Sequence, residues 1–134
     1  MLKRYGLLLL TIVLIAIFAA SCSNATTSTS VGGSVLETGY AINEGAEIVS
    51  PVTTFKANED FYFSFYNNEP FGDNVVTIKL TNSDTDEVLL DSVLSVDPTW
   101  VIYANTVSFV NPGKYNISIT VGDQLRANQE VIIE

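Results

Sequence analysis

The sequence predicts an all-β domain, an antiparallel sandwich of seven or eight strands over residues 35–134. Three observations carry that prediction. Apolar and polar residues alternate with period two along most of the chain after Val35. Turn-forming residues recur every eight to twelve positions, and no segment carries a helical stripe of apolar side chains. An N-terminal leader, expected to be a signal-peptide helix, and a flexible linker precede the domain.

The leader comes first. Lys3 and Arg4 form a basic start, Leu7 to Phe18 an apolar core, and Ala19, Ala20 and Ser21 a run of small residues. This is the three-part layout of a secretory signal over residues 1–21. A membrane span needs about 20 apolar residues to cross the hydrocarbon layer, and the run from Leu7 to Ala20 is shorter than that. Residues 22–34 follow, reading "CSNATTSTSVGGS", uncharged and rich in Ser, Thr and Gly. Such a stretch buries too little apolar surface to offset the entropy of ordering it, and so is expected to be a flexible linker.

The strands follow in order along the chain. One is expected around Tyr40 to Ile42 and another over Ile48 to Phe55. "FYFSFY" places Phe61, Phe63 and Phe65 on one face, Tyr62, Ser64 and Tyr66 on the other. This strict, aromatic-rich alternation is the strongest strand signal in the chain. "NEPFGDN" reads as a loop because Pro70 and Gly72 interrupt the ladder. Val76, Ile78 and Leu80 face inward on the next strand, which turns through Ser83 to Asp86 into "EVLLDSVLSV". "DPTW" makes a corner before the strand from Trp100 to Val110. Tyr115, Ile117, Ile119 and Val121 face inward on the next, and Arg126 to Ile133 form the last.

Charge and composition narrow the function. The chain holds 15 acidic and 6 basic side chains, net −9. Loss of Lys3 and Arg4 with the leader would leave 4 basic against 15 acidic, net −11. Phosphate backbones and anionic headgroups repel such a domain, so nucleic acid is not an expected partner. The chain has no histidine, which removes the usual general base near neutral pH and the commonest zinc ligand. Its serines have no evident activator, so no catalytic residues and no cofactor are expected.

Three groups of residues remain as candidate sites. Tyr62 and Tyr66, on the face opposite the phenylalanines, offer a platform for a glycan or a protein, or simply cover the sheet. Asp84, Asp86 and Glu87, with Asn82, supply clustered oxygens suited to calcium, in a segment that reads more plainly as an acidic hairpin turn. Cys22 is the only cysteine, so it has no disulfide partner in the chain.

Two resemblances add to this. Ala19-Ala20-Ser21-Cys22 resembles the bacterial lipobox, apart from alanine where leucine is usual at position 19. The resemblance implies cleavage before Cys22 and lipidation of its thiol, hence a membrane-anchored, exported protein. Ser23, rather than aspartate, follows the cysteine; by analogy with Gram-negative lipoproteins this does not signal retention in the inner membrane. The second resemblance is in "NPGKYNI", Asn111 to Ile117. It is similar to the turn that opens the penultimate strand of many immunoglobulin-like domains. That likeness implies an immunoglobulin-like sandwich in which Tyr115 is the corner tyrosine and Gly113 permits the turn. The paired cysteines of true immunoglobulin domains are missing, and Trp100 lies too late to be their core tryptophan. The expected role is a noncatalytic envelope or cell-surface domain that binds another protein. Glycan binding through Tyr62 and Tyr66, with or without calcium, is the alternative.

Overall fold

The computed structural model describes residues 26–134, which form eleven strands. The signal-peptide and Cys22 expectations fall outside these residues. The wider sheet runs in the order β1 (Ser28–Ser30), β11 (Gln124–Ile133), β10 (Gly113–Val121), β7 (Val76–Asn82), β8 (Val88–Leu94). These neighbours are antiparallel throughout. The two-residue β5 (Thr54–Phe55) joins the end of β11 in parallel, pairing Phe55 with Ile133. The second sheet has three strands, β2 (Val35–Gly39), β6 (Phe61–Tyr66) and β9 (Ile102–Val107). A short hairpin of β3 (Ala41–Ile42) and β4 (Ile48–Val49) lies outside the sandwich.

The period-two pattern fixes the core. Phe61, Phe63 and Phe65 from β6 meet Val76, Ile78 and Leu80 from β7 and Ile117 and Ile119 from β10, all buried. At one end the aromatic rings form a column. Phe55 and Phe61 stack at 3.7 Å, Phe61 and Phe109 lie 6.2 Å apart, and Phe109 stacks on Tyr115 at 4.2 Å.

Besides β2, where no strand was expected, three features depart from the sequence expectation. The first lies in the expected linker, where Ser28–Ser30 form β1 on the edge of the wide sheet. The backbone amide of Val31 continues the attachment by donating to Arg126 O. Polar Ser/Thr side chains suit an exposed edge strand, whose stability comes from backbone pairing with β11 and not from burial. The second departure is the expected strand from Ile48 to Phe55, which is broken in two. Ser50 has φ 55° and Pro51 follows, so the chain leaves the hairpin, crosses the end of the sandwich and joins the other sheet as β5. Thr38 clamps the crossing, its hydroxyl donating to Val52 O at 2.6 Å while Val52 N donates to Thr38 O. The third is Phe71, inside the expected loop but wholly buried and 6.1 Å from Phe65.

The β3–β4 hairpin covers the outer face of the small sheet. Asn43 shapes its turn by accepting from the amides of Gly45 and Glu47. Ala46, with φ 63°, then aims its carbonyl at Ser64, which donates to it at 2.6 Å. Close approach also requires Gly39, where an added Cβ would stand 2.5 Å from Ile48 Cγ2.

Candidate functional site

One side-chain bond closes the turn from Asn111 to Tyr115. The Tyr115 hydroxyl donates to Asn111 O at 2.8 Å across the turn that Gly113 opens. Gly113 has φ 152°, and an added Cβ would lie 3.5 Å from the Tyr115 ring. The role is structural, since Tyr115 is buried. Tyr115→Phe removes one hydrogen bond and is expected to cost about 1 kcal/mol in urea unfolding.

The acidic turn gathers no cation site. Asn82 Oδ1 accepts from the amides of Asp84 and Thr85, closing an Asx-type turn. Asp86 adopts φ 59° and donates its amide to Asn82 O. Among the described residues no three carboxylates, Asp84, Asp86 and Glu87 included, come together as a metal cluster. The oxygen that would have joined them as a ligand is used by the backbone.

Tyr62 and Tyr66 do share the outer face of β6, but they form no continuous platform. Ser64 between them is buried under the hairpin tip at Ala46. Tyr66 is exposed and its hydroxyl donates to Asn68 Oδ1 at 3.3 Å, while Tyr62 is half-buried. The alternation in sequence places both side chains correctly and carries no sign of what crosses over them.

Two surfaces missed from sequence stand out. The first is β8, the free edge of the wide sheet. Val88, Leu89, Leu90 and Val93 are all exposed, Val93 by 68 %. Leu90 faces the core side, because it pairs with buried Leu80 across the ladder. It is nevertheless 42 % exposed, since β8 packs mainly on β7 and the three-stranded sheet stops short of it. Only Leu94 and Val96 tuck against the core at the end of the strand. Proteins blunt such edges with lysine, proline or a covering loop. β8 has neither residue, its one charge is Asp91, and its one irregularity is the register shift that leaves Leu89 unpaired beside Leu80.

The second surface is an open hollow of about 710 Å³ between the hairpin and β9. Trp100, Ile102 and Ala104 form its floor on one side and Glu44 to Ala46 its other wall. A smaller hollow of about 310 Å³ shares Ile102 and adds Glu37, Glu47 and Tyr66. Trp100 is 48 % exposed and is presented by the Asp97 corner. Asp97 Oδ1 accepts from Thr99 N at 2.8 Å and from Thr99 Oγ1 at 2.7 Å.

Those two bonds from Thr99 hold the Asp97 carboxyl below its ordinary value of 3.8. A depressed carboxylate pKa adds stability that is complete above the unfolded value and is lost as pH falls through the folded one. An NMR titration should therefore place the Asp97 midpoint below 3.8. Trp100 emission should shift as the corner loosens over the same acid range.

Comparison with known proteins supports the fold class. No protein-family model matches the chain, and no curated protein matches it. The structure is similar to the soluble domain of PmoD from Methylocystis sp. ATCC 49242 (Rockwell), at 12 % identity and TM-score 0.51, over 75 % of this chain and 90 % of that one. It is similar at the same identity and TM-score to an immunoglobulin-like protein from Pseudomonas aeruginosa, over 84 % of this chain and 99 % of that one. A superoxide reductase (neelaredoxin) from Ignicoccus hospitalis aligns at 11 % identity with TM-score 0.46, too low a likeness to argue from. The chain is thus an all-β protein of immunoglobulin-like fold. At these identities the likeness reaches the fold and no further.

Proposed function

We propose that this protein is a noncatalytic envelope domain, tethered by a lipid on Cys22, that binds another envelope protein by accepting a strand at the β8 edge. The observation that carries the reading is the exposed apolar edge itself, which lacks lysine, proline and a covering strand. An added strand would satisfy the free backbone groups of β8. It would also cover Leu90, which the second sheet leaves open.

The tether suits this geometry. Because β1 begins at Ser28, the chain between Cys22 and the domain reaches at most about 20 Å. The attachment enters at β1, and β8 lies at the opposite edge of the same sheet. With strands about 4.8 Å apart, four spacings put that edge about 19 Å away. A domain held near the membrane at one edge presents the other to neighbouring proteins.

The test is affinity capture of the full-length lipoprotein from native envelope, with and without a lysine guard on β8. A single recurrent protein lost from the guarded variant supports the proposal. Polysaccharide retained equally by both variants would sink it and restore the glycan alternative. The mass of the N-terminal peptide tests the Cys22 lipid in the same sample.

A further inference from the structure

We infer that the paired hollows beneath the β3–β4 hairpin bind an extended peptide segment carrying lysine or arginine between apolar residues. This site lies on the small sheet, away from β8, and stands independently of the strand-addition proposal.

Charge is the first argument. Glu37, Glu44 and Glu47 line the hollows, and none of the domain's four basic residues does. Lys114 is paired with Glu130 and Arg126 with Glu69. Lys79 stands opposite Asp91 in the wide sheet, and Lys56 follows β5. The face therefore has carboxylates with no cation of its own. Glu47 is held in place by Asn43 Nδ2, which donates to it at 3.1 Å.

Trp100 is the second argument. A half-exposed indole in the same hollow as the Glu44 carboxylate offers a face to an ammonium or guanidinium group, and a site that combines the two selects an organic cation. Ile102 and Ala104 supply the apolar floor for the neighbouring residues of the ligand.

The shape of the larger hollow selects a peptide over a small amine. It follows six consecutive residues, Thr99 to Ala104, and Asn105 beyond them. Most of these belong to β9, whose outer edge has no strand partner among the described residues. An extended backbone laid there can pair with that edge while every second side chain reaches the hollow.

The test uses the full lipoprotein in detergent micelles and a synthetic decapeptide alternating lysine with valine. Trp100 is the chain's only tryptophan, so its emission reports on the hollow directly. The expected result is a saturable change in that emission that weakens as salt rises. Glu44→Gln with Glu47→Gln should lower the affinity about tenfold, consistent with two partly exposed charge pairs. Asp84→Asn with Asp86→Asn removes the same charge elsewhere and should leave it unchanged. No emission change up to millimolar peptide overturns the inference, as does equal weakening by both double variants. Pentylamine binding as tightly as the peptide would overturn the choice of a peptide ligand.

Discussion

Leu89→Lys with Val93→Lys is expected to abolish capture of the proposed envelope partner while moving the melting temperature by no more than about 8 °C. Val93 is 68 % exposed and Leu89 half-exposed, so neither contributes much to the core. Exposed substitutions of this kind usually stay within about 0.5 kcal/mol each, so the two together shift a domain of this size by at most about 4–8 °C. Their effect on a paired strand is larger. Two lysines would have to be desolvated against an incoming apolar strand, and this is the device by which sheet edges are normally kept from pairing. Loss of binding with unchanged stability would separate an interface from a packing role. A matched fall in both would show that β8 needs its apolar side chains for folding.

Phe61→Ala should produce the largest loss of stability. Phe61 is buried between Phe55, stacked at 3.7 Å, and Phe109 at 6.2 Å, so the ring joins both ends of the aromatic column. Removing a buried phenylalanine typically costs about 3–5 kcal/mol in lost transfer energy and residual cavity. For a domain of about 100 residues this lowers the melting temperature by about 15 °C or more. The loss should spread past the site. Phe55 is the residue that fastens β5 to the end of β11, and Phe109 backs the Tyr115 corner. Phe61→Leu keeps most of the volume and should cost under about 1.5 kcal/mol. Urea unfolding of the two variants measures the difference.

The sandwich was legible because its long strands obey a local rule. Alternation in residues 61–66, 76–82 and 113–121 assigned each side chain to a face without any knowledge of the partner strand. Asn111 to Tyr115 likewise carry their corner within one turn. The two surfaces were hidden because each depends on what another part of the chain leaves uncovered. Leu90 alternates like a core residue, and only the narrowness of the second sheet exposes it. Trp100 and Ile102 became the floor of a hollow when the hairpin folded over the small sheet. Strands were expected at both β3 and β4, but they are two residues each, too short to show that they pair as a hairpin over the small sheet. Ser28–Ser30 escaped for a related reason. An edge strand held by backbone bonds leaves its composition free to resemble a linker.

The central claim, that β8 is where this domain meets another protein, is tested most directly by a photo-reactive side chain at position 93 in the native envelope. A second probe at Asp123, in the exposed turn between β10 and β11, serves as the reference. The claim predicts one recurrent protein adduct from position 93 and none in common from position 123. The same adducts from both positions, or none from position 93, would contradict it.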